Sequence, residues 1–123
     1  MTTSCANAQS LVYKILQRAE WVAACERGTY TGSVDDLRDG FIHLSSATQL
    51  SGTARKYFVG IPGLVIIAFR SEDLGSALTW ERSRGGELFP HLYGSLETRH
   101  ALWVRDLPLD PTGGVILPTD LEV

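Results

Sequence analysis

Leu64-Val65-Ile66-Ile67-Ala68-Phe69-Arg70 is the most apolar run of the chain, and the fold can be read outward from it. It is short and bounded by turn signals, so it predicts a strand and not a helix. With no polar alternation inside it, both faces are expected to be buried, which makes the strand central. Gly60-Ile61-Pro62-Gly63 supplies the turn before it. Ser71-Glu72-Asp73-Leu74, after it, reads as a single helical turn with acids near its positive end.

Upstream, Leu11 to Leu16 is a second β-prone run. Gln17 to Arg27 follows as a helix, with Ala19, Val22, Ala23 and Glu26 at spacings of three and four and Gly28 as the stop. Thr29 to Gly40 is rich in Thr, Gly, Ser and Asp and reads as a loop. Phe41 to Leu44 is a short strand, and Ser46 is placed to cap a helix over Ala47 to Phe58. Downstream, Leu78 to Glu81, Phe89 to Tyr93 and Ala101 to Leu107 complete a set of about six strands. No helix-length spacer separates these later strands, so antiparallel pairing is expected.

The chain has 123 residues, 44% of them hydrophobic and 20% charged, which makes one domain with an ordinary core the default. At this size neither a disulfide nor a metal staple is required. The expected fold is a single α+β domain with mostly antiparallel pairing and two main helices. Residues 1–10 read as a loosely ordered leader, and the Pro- and Gly-rich residues 110–123 as an extended tail. The 11 basic and 14 acidic residues argue against general nucleic-acid binding. Met1 to Ser10 lacks the basic and apolar segments of a secretory signal, and Leu64 to Phe69 is about a third of a bilayer span. A cytoplasmic protein without membrane contact is therefore expected. Cys5 and Cys25 have no disulfide or metal spacing, and Cys25 is expected to be a small buried hydrophobe. Trp21 and Trp103 are expected in the core.

Two segments exceed what folding alone asks for. In Asp39-Gly40-Phe41-Ile42-His43-Leu44-Ser45-Ser46, strand alternation puts Phe41, His43 and Ser45 on one face and Ile42 and Leu44 on the other. In Trp80-Glu81-Arg82-Ser83-Arg84-Gly85-Gly86, two Arg forks flank a serine, and the glycines let backbone approach a ligand closely. Such a loop suits a phosphate or carboxylate, which guanidinium binds bidentately. His91 and Tyr93 then alternate onto one face of the next strand. Each feature has a plainer alternative: a hydrogen-bonded strand histidine for His43, a solvated hairpin tip for Arg82, simple packing for Trp80. His43, His91 and His100 lack metal-ligand spacing, so no metal is expected.

The order YKIL, DGFIHLS, WERSRGGELFPHLYG and LWVRDLPL resembles a family of small bacterial and plant proteins known as domain of unknown function 952. The resemblance spans about residues 11–109 and implies an ADP-ribosyltransferase-like fold, a single domain over 11–109 with a split, mostly antiparallel sheet and a cleft between its halves. Related RNA 2′-phosphotransferases carry a first-strand Tyr-His-Gly and a later Val-His-Leu-Ser. Ile42-His43-Leu44-Ser45 matches the second motif, while Lys14 follows Tyr13 where the first motif has histidine. His91 falls near the strand where transferases carry a glutamate, so Glu81 or Glu87 would have to supply the acid that steadies a ribosyl cation.

These readings converge on a cleft for a nucleotide-like, phosphate-bearing small molecule, NAD or ADP-ribose being the type. His43, Glu81 and His91 are the catalytic candidates. Tyr13, Lys14, Ser45, Trp80, Arg82, Ser83, Arg84 and Tyr93 are the candidates for holding the ligand. The reaction implied by the resemblance is transfer or hydrolysis at the ribose. The rival is a noncatalytic ligand-sensing or protein-interaction module on a degenerate transferase fold.

Overall fold

A computed structural model describes residues 10–121; the leader up to residue 9, with Cys5, lies outside them. In chain order the elements begin β1 (Leu11–Gln17), α1 (Arg18–Arg27), β2 (Thr29–Tyr30), α2 (Val34–Asp39) and β3 (Ile42–His43). They continue with a 3-10 turn (Ala47–Gln49), α3 (Leu50–Tyr57), β4 (Leu64–Arg70) and α4 (Ser71–Leu74). The last are β5 (Leu78–Arg82), β6 (Leu88–Leu92), β7 (Leu96–Glu97) and β8 (Trp103–Leu107). The fold is α+β with antiparallel sheets and a few short helices.

The apolar run is central, as expected. β4 lies between β1 and β8, both antiparallel to it, and Leu64 to Phe69 are buried. Its alternation divides the interior in two. Val65, Ile67 and Phe69 pack with Val12, Leu16, Trp21, Ile42, Leu44 and Leu92 on one side. Leu64, Ile66 and Ala68 pack with Leu11, Tyr13, Ile15, Leu50, Ala54 and Leu107 on the other. A second sheet has the order β3-β6-β5, and β2 and β7 form a small ribbon. A backbone bridge links the two larger sheets, the Tyr13 N–H donating to the Ser45 carbonyl at 2.8 Å and the Ser45 N–H donating back at 3.0 Å. That junction opens the cleft.

α1 ends where Gly28 takes φ 90°, a conformation only glycine adopts cheaply, and its N–H donates to the Ala24 carbonyl. Three expectations need correcting. Thr29 to Gly40 is not a loop: it holds β2 and α2, the latter built on a capping box in which Ser33 Oγ accepts from the Asp36 N–H and Asp36 Oδ2 accepts from the Ser33 N–H. The helix is short and polar, so it has no apolar period to betray it. Cys25 is exposed, because α1 turns Trp21 and Ala24 to the core and Cys25 away from it. Trp103 is half-buried at the sheet edge, its ring covered by the Arg105 guanidinium at 4.1 Å, whereas Trp21 is buried. After β8 the chain turns back on itself, the Asp110 N–H donating to the Gly114 carbonyl at 2.8 Å and Leu109 pairing with Val115, and Val115, Leu117 and Leu121 lie against the second cluster. No helix among the described residues is long and apolar enough to cross a membrane.

Candidate functional site

A cavity of about 130 Å³ opens where β1 and β3 meet, walled by α2, α3 and the β5–β6 hairpin. One water needs only ~10–15 Å³ of such space, so there is room for a small molecule. Direct cross-strand partners share a face, and His43 stands opposite His91 with ring centroids 5.6 Å apart. Phe41 stacks on His91 at 4.0 Å and tilts against His43 at 4.6 Å, bracing both rings. Ile42 and Leu44, of opposite parity, are buried in the core.

Asp36 organises one wall from the buried side of α2. Its Oδ2 accepts from Lys14 Nζ and the Ser33 N–H, both at 2.9 Å. Its Oδ1 accepts from the His43 N–H at 3.1 Å and from His43 Nδ1 at 2.6 Å. Burial alone would push this carboxyl up. The His43 bond, the Lys14 charge and the Ser33 N–H overturn that and hold it well below the usual carboxylate range. Burial pulls the Lys14 ammonium down, with Asp36 opposing. Lys14 Nζ also donates to the His43 carbonyl at 3.0 Å, so its charge is spent inside the wall. His43 Nε2 meets Asp39 Oδ2 at 3.0 Å, leaving the ring with a carboxylate at each nitrogen. Asp39 is itself held below its usual range, first by Arg38 and then by His43.

His91 is arranged differently. Its Nδ1 lies 2.8 Å from Glu81 Oε1, which also accepts from Tyr93 Oη at 2.7 Å. Those hydrogen bonds, His91's first, hold the Glu81 carboxyl below its usual range, and the same carboxylate pushes the Tyr93 phenol up. An ionised carboxylate only accepts, so Nδ1 carries the proton and Nε2 presents a lone pair when the ring is neutral. Among the described residues Nε2 has no hydrogen-bond partner, although the residue is only 4% exposed and lines the cavity.

The hairpin tip closes the third side. Arg84 lies over the Phe89 ring at 4.7 Å and donates to Thr53 Oγ1 at 3.3 Å, which bonds Ser45 Oγ at 3.0 Å. Gly52 permits this approach, since a Cβ there would meet the guanidinium at 3.1 Å. No group of three or more His, Cys, Asp or Glu suited to a metal occurs among the described residues.

The family model described as "Protein of unknown function (DUF952)" matches residues 15–104, most of the chain. The chain belongs to this family. A crystal structure of protein CC0527 from Caulobacter crescentus is 50% identical, covering 88% of this chain and 95% of that one, with a TM-score of 0.86. A solution NMR structure of CC0527 is 51% identical, covering 85% and 90%, with a TM-score of 0.76. No curated protein matches the chain.

In this DUF952 chain the cavity gathers Tyr13, Lys14, His43, Ser45, Ser83, Arg84 and His91 from the residues singled out in the sequence. The other four stand off its wall. Glu81 and Tyr93 lie behind His91 as its hydrogen-bonded support. Arg82 turns back to the Gly86 carbonyl at 2.9 Å, and Trp80 points from the opposite face of β5, 42% exposed. Asp36, Asp39, Thr53 and Arg38 were not anticipated, yet they line the cavity. Ser33-Val34-Asp35-Asp36 carries a capping-box pattern that points to α2, but no local pattern pairs Asp36 with Lys14, 22 positions away.

Proposed function

We propose that this cavity binds a nucleotide-like, phosphate-bearing small molecule of the NAD or ADP-ribose type, on an ADP-ribosyltransferase-like fold. One observation carries the reading. Of the three cations on the cavity wall, Lys14 is paired with Asp36 and Arg38 with Asp35 and Asp39, while Arg84 has no carboxylate partner among the described residues. Arg84 is therefore the anion anchor, with the Ser83, Ser45 and Thr53 side chains beside it. Tyr13 and the braced His43 shape the wall that takes the sugar and base. Lys14 acts here by holding Asp36, not by touching a phosphate.

Chemistry at the ribose would need a carboxylate beside the developing positive charge. Asp36 and Asp39 are on the wall, whereas Glu81 is engaged behind His91. The saturation of Asp36, Lys14 and both nitrogens of His43 favours a second reading, a rigid noncatalytic module that senses the ligand. Either way the first test is binding. A thermal-shift panel of NAD, ADP-ribose, AMP and inorganic phosphate should raise the midpoint with at least one nucleotide. At 100 times its dissociation constant a ligand adds about 2.7 kcal/mol of stability, on the order of 10 °C for a domain this size. Arg84→Ala should lose the shift and keep its unliganded midpoint. A flat panel would refute the reading.

A further inference from the structure

We infer that His91 is a general base, positioned by Glu81, which activates water to hydrolyse a phosphoanhydride or phosphate ester bond of the ligand held at Arg84. This rests on the cavity being a phosphate-ligand site and adds the reaction to it. The argument is geometric. Glu81 Oε1 binds His91 Nδ1 at 2.8 Å, which fixes the tautomer and leaves Nε2 with its lone pair on a ring that lines the cavity. Phe41 stacks on the ring at 4.0 Å and Tyr93 Oη braces the carboxylate at 2.7 Å, so neither imidazole nor acid turns freely. His43 cannot share the task, since Asp36 and Asp39 occupy both of its nitrogens.

The spacing suits the chemistry. Phe89 and His91 are two residues apart on β6 and so face the same way, roughly 7 Å apart along the strand. Arg84 lies over Phe89. A phosphate on that guanidinium and a water on Nε2 are neighbours in one cavity. In the step, Nε2 takes a proton from water as the water oxygen bonds to phosphorus. The P–O bond to the leaving group breaks with its electron pair on the departing oxygen, which then receives the proton from Nε2. The imidazole returns neutral, and no other reactant is consumed.

The test uses ADP-ribose and the full chain in ¹⁸O-labelled water, with products read by mass spectrometry and binding by thermal shift. The expected result is AMP and ribose 5-phosphate, with the label in a phosphate. His91→Asn should lower turnover by roughly 10²–10⁴-fold, the usual worth of a general base, while keeping the ADP-ribose thermal shift. Glu81→Gln, at a half-exposed position and checked for an unchanged melting midpoint, should lower kcat, leave KM unchanged and move the acid limb of the pH profile. A wild-type thermal shift without turnover would overturn the general-base role and leave the binding site standing. Label on ribose C5, or full turnover in His91→Asn, would overturn it as well. A flat panel, ADP-ribose included, would remove both the site and the inference.

Discussion

Asp36 takes four hydrogen bonds on two carboxylate oxygens while only 2% exposed. Removing it would strand a buried Lys14, so Asp36→Ala should cost about 3–5 kcal/mol in urea unfolding, as expected when one partner of a buried ion pair is lost. The pH dependence has a definite sign. The folded carboxyl lies below its ordinary value, so it binds a proton less readily than in the unfolded chain. Its contribution is present above the unfolded value, near ~4, and is lost as pH falls toward the folded value. Unfolding measured from pH 5 down to pH 2 should therefore show a steeper loss in the wild type than in Asp36→Asn; parallel curves would contradict the assignment. Residue-level logic was only half legible in the sequence. Alternation correctly grouped Phe41, His43 and Ser45, because a strand's period is local. The Lys14–Asp36 pair depends on how α2 docks on β1, which no spacing encodes.

At the scale of elements, α2 is the piece that composition concealed. A helix of six residues made of Val, Leu, Arg and three Asp has no apolar stripe, and its evidence is confined to the cap. Ser33→Ala should therefore cost about 1 kcal/mol, the usual worth of an N-cap side chain, and should weaken ligand binding as well by loosening Asp36. A melting curve and a titration on the same variant check both effects; lower stability with intact affinity would separate α2 from the site. The β5–β6 hairpin shows the opposite case. Its Arg-Ser-Arg-Gly-Gly tip and the parity of His91 and Tyr93 were readable. The sequence did not separate Arg84, which reaches Thr53 and Phe89, from Arg82, which turns back to Gly86.

Across the whole molecule, β4 divides two apolar clusters and so holds both sheets in place. Ile67, fully buried in the first cluster, should cost about 2–5 kcal/mol on truncation to alanine, readable by urea unfolding. The apolar run made that architecture legible, because an unbroken run leaves few options but a strand covered on both faces. The meeting of the sheets at Tyr13 and Ser45 was not legible, since pairing between distant strands carries no local signature. That meeting is nevertheless what opens the cavity and lets β3, β6, α2 and the hairpin tip converge on it. The central claim is that the converged site holds an anionic ligand through Arg84. Isothermal titration of ADP-ribose into the wild type and Arg84→Ala tests it directly. Loss of a charged hydrogen bond worth about 2–3 kcal/mol predicts an affinity roughly 30–200-fold weaker in the variant, at an unchanged melting midpoint. Equal affinity in the two proteins would contradict the claim.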